Sequence, residues 1–178
     1  MIVPPWRDVP IARDHDRASF DCGRPKLNDF LRRYARQSHE IGASKTYVAL
    51  DAADMRTIHG FYTLSPAQVD FHRVPEQARP RARYDVGGFR LGRLAVSNAM
   101  KGRRLGGQLI LAAARRCIRA SAEMGGTALL VDAKDAEVAA WYGLYGAVPL
   151  LDAPLSLVLP YDLLREALAA AGKSLDRT

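Results

Sequence analysis

The chain is poor in cysteine and histidine and has no long apolar run, and each shortage removes a class of answer. Its two cysteines, Cys22 and Cys117, stand far apart in 178 residues and form neither a CxxC pair nor a Cys/His metal spacing. The four histidines, His15, His39, His59 and His72, show no ligand spacing either. No metal is therefore implied, and a reducing bacterial cytoplasm is the simplest compartment. Aliphatic and aromatic residues make up 48% of the chain, yet no stretch approaches the roughly 18–20 consecutive apolar residues of a membrane span, which predicts a soluble protein without a membrane partner. The opening MIVPPWRDVPIARDHD places prolines and acids where a secretory signal needs an apolar core, so export is not expected. Internal repeats and low-complexity blocks are also missing. What is left is the expectation of one domain over residues 1–178, long enough to bury a core, with a C-terminal helix and tail from 161 to 178.

What the chain does have is positive charge, unevenly placed. The formal net charge is +7; residues 1–104 hold 19 Lys/Arg against 11 Asp/Glu, and the remainder hold 7 against 8. A basic surface of this kind attracts polyanions by counterion release, nucleic acid being the commonest large one, although a solvated, solubilising face produces the same count.

Leu27, Phe30, Leu31 and Tyr34 recur at helical spacing with Arg32, Arg33 and Arg36 mostly opposite, which predicts an amphipathic helix. KTYVALDA and TIHGFYTLS predict two strands of a hairpin around a polar turn from Asp51 to Arg56. VPEQARPRARYD lacks periodicity and reads as a mobile connection or a short broken helix. A strand at Phe89–Val96 leads into a loop with glycines. Gly106, Ile110, Ala113 and Cys117 then form a small-residue helix face, with Arg115, Arg116 and Arg119 turned away, ending near Gly125 and Gly126. TALLVDA predicts a strand; Asp135 is placed to cap a helix over about 136–144 and Gly146 to stop it; LSLVLP predicts a last strand and Tyr161 to Ala171 a terminal helix. The order predicts a mixed α/β (α+β) chain with one sheet layer and flanking helices.

The loop is KGRRLGG, Lys101 to Gly107. A helix entrance exposes unpaired N–H groups and the positive end of the macrodipole, which favours a phosphate. Gly102, Gly106 and Gly107 let a ligand approach the main chain, and Lys101, Arg103 and Arg104 add charge. Taken alone the stretch is equally a structural turn. It has neither the GK[ST] of a Walker A loop nor the GxGxxG of a dinucleotide fold.

Together with its context the loop resembles the [RQ]-x-x-G-x-[GA] coenzyme loop of GNAT-superfamily acetyltransferases, with Lys101, Arg104 and Gly106 at the three defining places. Lys101 stands where Arg or Gln is usual, and Arg104 where Gly is usual. FDCGRPKLNDFLRRYARQ, HGFYTLS, LGRLAV, AAWYGLYGAVPL and PLSLVLP resemble, in that order from about Phe20 to Leu159, the signatures of GNAT toxins from bacterial type II toxin–antitoxin pairs. The resemblance implies a GNAT fold, a central mixed and mostly antiparallel sheet flanked by helices. It also implies acetyl-CoA as cosubstrate, aminoacyl-tRNA as acceptor through its α-amino group, arrest of translation, a ribbon-helix-helix antitoxin as partner, and a homodimer in the bacterial cytoplasm.

It further implies site residues. The main chain of Leu94, Ala95 and Val96 and the loop residues Lys101, Gly102, Arg103, Arg104, Leu105, Gly106 and Gly107 would hold the coenzyme, with a backbone N–H on the LAV strand stabilising the oxyanion. Asp135, primarily a helix cap, is a further candidate for the pantetheine arm. Tyr142 takes the place of the family's general acid, which protonates the departing thiolate; the plain alternative is that Trp141, Tyr142 and Tyr145 fill a core. No general base is nominated, because an α-amino group titrates near 7.7–8.0 and its ester link to tRNA lowers that further. Arg32, Arg33, Arg36 and Arg93 are candidates for RNA phosphates, the ordinary reading being a solvated face. Cys22 is read as packing rather than as a nucleophile. Two rivals remain: an acetyltransferase for a protein N-terminus or small amine, and a catalytically silent GNAT-like domain that binds nucleic acid or a partner protein.

Overall fold

The computed structural model describes residues 2–81 and 83–170. Seven strands form one sheet in the order β1-β2-β3-β4-β5-β7-β6, namely β1 (Trp6–Pro10), β2 (Lys45–Asp51), β3 (Ile58–Val69), β4 (Val86–Val96), β5 (Ala128–Asp132), β6 (Val148–Pro149) and β7 (Ser156–Pro160). The helices are α1 (Pro25–Asp29), α2 (Ala35–Ile41), α3 (Leu105–Met124), α4 (Ala136–Gly143) and α5 (Tyr161–Ala170). This is the one-layer sheet with flanking helices that the element order predicts, and the mixed, mostly antiparallel pairing that the family resemblance implies. None of the described helices is long and apolar enough to cross a membrane. Ala171 and the expected tail lie outside the described residues.

Two compact units divide the chain, one made of residues 1–65 with 92–112 and the other of 66–91 with 113 onward. In the first, β1 pairs antiparallel with β2, Trp6 opposite Asp51 and Pro10 opposite Tyr47. β2 pairs with β3 from Lys45–Leu64 to Ala49–Gly60, and then Leu50 meets Ile58, so His59 is the extra residue of a bulge. β1 was not expected, because WRDVP is too polar and too rich in proline to read as a strand; proline is tolerated here at the end of an edge strand. The core of this unit gathers Phe20, Phe30 and Phe61 around Leu31, Ala35, Val48 and Leu50. Phe61 meets Phe20 edge-on at 5.5 Å and stacks on Phe30 at 6.2 Å, arrangements that add to simple area burial.

Between α1 and α2 the chain makes one π-helical turn, Phe30–Tyr34. A π-turn accommodates one more residue than an α-turn, so the apolar face shifts along the sequence. Ala35 is consequently fully buried, and Tyr34, expected on that face, is 50% exposed.

In the second unit β4 and β5 pair in parallel from Gly88–Ala128 to Leu91–Val131, β5 pairs antiparallel with β7, and the short β6 pairs with β7. At Gly88 the strands approach so closely that a Cβ would stand 1.9 Å from the Ala128 carbonyl oxygen, and only glycine fits. Val69, Val74, Val86, Leu130 and Val158 form part of the core. The non-periodic segment VPEQARPRARYD contains a 3-10 turn at Glu76–Ala78, and a second 3-10 turn, Phe71–Arg73, directly precedes it. Arg79 packs its guanidinium 4.8 Å from the Phe71 ring centroid.

Candidate active site

In the first unit β4 runs on past its pairing with β5 to Val96, with Leu94 and Val96 half-buried and Ala95 buried in the core. A 3-10 turn at Asn98–Met100 follows, then Lys101 in extended backbone, Gly102 at φ 77° and Arg104 at φ 64°. α3 begins at Leu105, and the Gln108 N–H donates to the Arg104 carbonyl at 3.4 Å. The amides of Leu105, Gly106 and Gly107 therefore lie in a first turn that offers them no intrahelical acceptor. Nothing lies within 4 Å of where a Cβ on Gly102 would stand. An open turn, first-turn amides and the charges of Lys101, Arg103 and Arg104 suit a diphosphate.

Arg104 occupies the left-handed region that glycine normally fills, at a cost of about 1–2 kcal/mol for an L-residue. Its side chain is exposed, so the substitution loads the backbone and does not crowd the loop.

The N-terminal signature braces this loop, a role that its letters alone did not disclose. The Asn98 N–H donates to the Asp21 carbonyl at 2.8 Å, and Asn98 Nδ2 donates to the Asp21 carboxylate at 3.0 Å. The same carboxylate accepts the Gly23 N–H at 2.8 Å and Asn28 Nδ2 at 2.8 Å, and Asn28 Oδ1 accepts the Cys22 N–H at 3.0 Å. These bonds, the Gly23 N–H first and the Asn28 side chain next, hold the Asp21 carboxyl below the usual carboxylate range. Lys101 Nζ rests 3.2 Å from a Cβ position on Gly23. Cys22 is buried with its thiol 3.2 Å from Asn28 Oδ1, in keeping with packing. At the foot of the loop the Ser97 N–H donates to the carbonyl of bulged His59 at 2.8 Å, and the His59 ring pairs with Asp51 at 3.0 Å.

Tyr142 belongs to the second unit. It lies in α4 with 6% of its surface exposed, its ring edge-on to Trp141 at 5.0 Å; Trp141 in turn meets Tyr145 at 5.5 Å. Burial pushes the Tyr145 phenol up. Asp135 caps α4 by accepting the Val138 N–H at 2.8 Å, and its other oxygen pairs with Lys134 at 3.1 Å. Among the described residues no cluster of His, Cys, Asp or Glu could hold a metal.

The four candidate RNA arginines separate. Arg33 pairs with Asp29 at 2.9 Å, Arg36 pairs with Glu40, and Arg93 stacks 3.8 Å from the Phe30 ring centroid. Arg32 donates to the Phe20 carbonyl at 3.1 Å and faces a cavity that also takes Arg13, Arg17 and Arg56. No spacing in the sequence could have grouped those three with it.

No family model matches the chain. A tRNA-acetylating toxin of Mycobacterium tuberculosis (strain ATCC 25618 / H37Rv) is 34% identical over 157 residues, covering 88% of this chain and 91% of that protein. This chain belongs to the GNAT family of tRNA-acetylating toxins. The toxin's fold is shared with a tyrosine-to-phenylalanine mutant of KacT, with a TM-score of 0.83 at 24% identity over 91% of this chain and 98% of KacT. It is also shared with AtaT complexed with acetyl-methionyl-tRNAfMet, at a TM-score of 0.80 and 22% identity over 95% and 99% of the two chains. AtaT has also been solved as AtaTR bound with AcCoA, and as a mutant toxin bound to the C-terminus of the antitoxin AtaR.

Proposed function

We propose that this toxin transfers the acetyl group of acetyl-CoA to the α-amino group of an aminoacyl-tRNA and so withdraws that tRNA from translation. The observation that carries the reading is the loop at Lys101–Gly107, an open turn that leads into the first-turn amides of α3, in a chain 34% identical to a tRNA-acetylating toxin. The loop amides take the diphosphate, with Lys101, Arg103 and Arg104 balancing its charge. A main-chain N–H at Leu94–Val96 stabilises the negative charge that develops on the thioester oxygen as the amine attacks. Tyr142 gives its phenolic proton to the departing sulfur. The incoming amine loses a proton to solvent, so no side-chain base is required.

The solved relatives AtaT–AtaR and AtaT with acetyl-methionyl-tRNAfMet support an antitoxin and an aminoacyl-tRNA as partners here. We take the antitoxin to be of the ribbon-helix-helix type, the toxin to be a cytoplasmic homodimer, and the two units to work as one catalytic domain. The test is incubation with labelled acetyl-CoA and a pool of aminoacylated tRNAs, beside Tyr142→Phe. Label is expected on the aminoacyl end, with a loss of about 10²–10⁴-fold in the variant, the usual worth of a general acid. Label on free amines alone, or none, defeats the reading.

A further inference from the structure

A cavity of about 590 Å³ opens in the first unit, and four arginines from three separate chain segments line it. Arg13 and Arg17 come from the connection after β1, Arg32 from the π-turn, and Arg56 from the β2–β3 turn. Two of the guanidiniums are held in place: Arg17 Nη1 donates to the Arg32 carbonyl at 3.2 Å, and Arg32 Nη2 to the Phe20 carbonyl at 3.1 Å. The Asp16 N–H donates to the Arg56 carbonyl at 2.9 Å, which ties the first segment to the third. Among the described residues, the buried Nε of Arg17 has no hydrogen-bond partner.

The charge around this cavity is not cancelled. Among the described residues, Asp14 and Asp16 are the acids that line it, against the four arginines. Asp16 Oδ1 is itself taken up by the Ser19 N–H at 3.1 Å. His15 is buried and its Nδ1 accepts the Ala12 N–H at 3.1 Å; burial holds its pKa below 6.5. By contrast Arg33, Arg36 and Arg93 are committed to a carboxylate or a ring. Among the described residues, Ala18 is the one apolar side chain in the lining, which offers no anchor pocket of the kind a protein partner uses, while the guanidinium forks match phosphate oxygens. A second cavity, about 390 Å³, shares Asp16 with the first and extends to Ser97–Met100, the residues leading into the coenzyme loop.

We propose that the Arg13–Arg17–Arg32–Arg56 cavity seats backbone phosphates of the tRNA, placing its acceptor end toward the coenzyme loop. The proposal rests on the aminoacyl-tRNA reading above. Its test compares the full-length protein with Arg13→Ala/Arg56→Ala by fluorescence anisotropy on unfractionated, deacylated tRNA across a salt series. Each lost phosphate contact lowers the slope of log affinity against log salt by about one, so the double variant is expected to lose about two and Arg13→Ala alone about one. Acetyl-CoA affinity by calorimetry and the melting profile are expected to be unchanged. Unaltered tRNA affinity and slope overturn the proposal, as does wild-type protein that binds no tRNA. Unaltered tRNA binding with weakened capture of an acidic antitoxin peptide overturns it in favour of a protein partner. Wild-type acetylation of aminoacyl-tRNA, scored separately, keeps the two ideas apart: transfer with an unchanged variant slope removes the cavity alone, and a changed slope without transfer removes the reaction alone.

Discussion

Arg104 shows how much a single letter discloses and where it stops. The sequence marks it as a departure from the glycine of the family pattern, but the φ of 64° and the exposed side chain come from the backbone path between Gly102 and α3. Relief of left-handed strain in Arg104→Gly, about 1–2 kcal/mol, is opposed by about 0.4–1 kcal/mol of added unfolded-state entropy. The variant is therefore expected to be more stable by no more than about 1.6 kcal/mol, whereas Gly102→Ala, which carries a side chain into φ 77°, is expected to lose about 1 kcal/mol or more. Urea unfolding of both checks this, and a strongly destabilised Arg104→Gly would mean that the arginine side chain holds the turn. The helix that carries Tyr142 was legible from its Asp135 cap. The arginine cavity was not, since its members meet only through the fold.

At the scale of elements, the long strands and α3 follow directly from apolar spacing, while β1, the two-residue β6 and the π-turn do not. Edge strands carry weak patterns because one side faces water, and a π-turn leaves no local signature in the residues that make it. The brace around Asp21 and Asn28 was present as letters, but its target, Asn98, lies 77 positions from Asp21. Asn28→Ala strands the Cys22 N–H and loosens Asp21, so a loss of about 1–3 kcal/mol is expected, together with a raised acetyl-CoA Kd and KM and a smaller change in kcat. A lowered kcat at unchanged KM would sink that assignment. Gly88→Ala faces a backbone oxygen at 1.9 Å and is expected to cost about 3 kcal/mol or more, read from denaturant midpoints; a loss near zero would mean that β4 and β5 separate easily.

For the whole molecule, the charge surplus that the sequence placed in residues 1–104 acquires a location only in three dimensions. The groups that respond to acid cluster in the same stretch. His15 has its pKa lowered from 6.5 by burial, so its folded form resists the proton that the unfolded chain accepts, and stability falls as pH drops below about 6.5. Asp54 is brought down to about 2, chiefly by the Thr57 side chain and N–H. Asp16 and Asp21 are lowered from 3.8 by the Ser19 side chain and the Gly23 N–H respectively. Their contribution is complete above pH 3.8 and disappears as pH falls through their folded values, toward about 2 for Asp54. Urea midpoints are expected to decline in two stages, from pH 7 to 5.5 and again from 4 to 2.5; a flat profile between pH 7 and 5.5 would remove His15 from the account.

The two units interleave along the chain, 1–65 with 92–112 and 66–91 with 113 onward. A ribosome that halts before residue 112 has made neither of them whole, and one that halts after it has made only the first. The phenol that would protonate sulfur is laid down later still, 30 residues beyond that point. A chain halted short of Tyr142 lacks the proposed acid, so if the proposed acetylation slows protein production, the half-made copies that result are expected to add nothing to it.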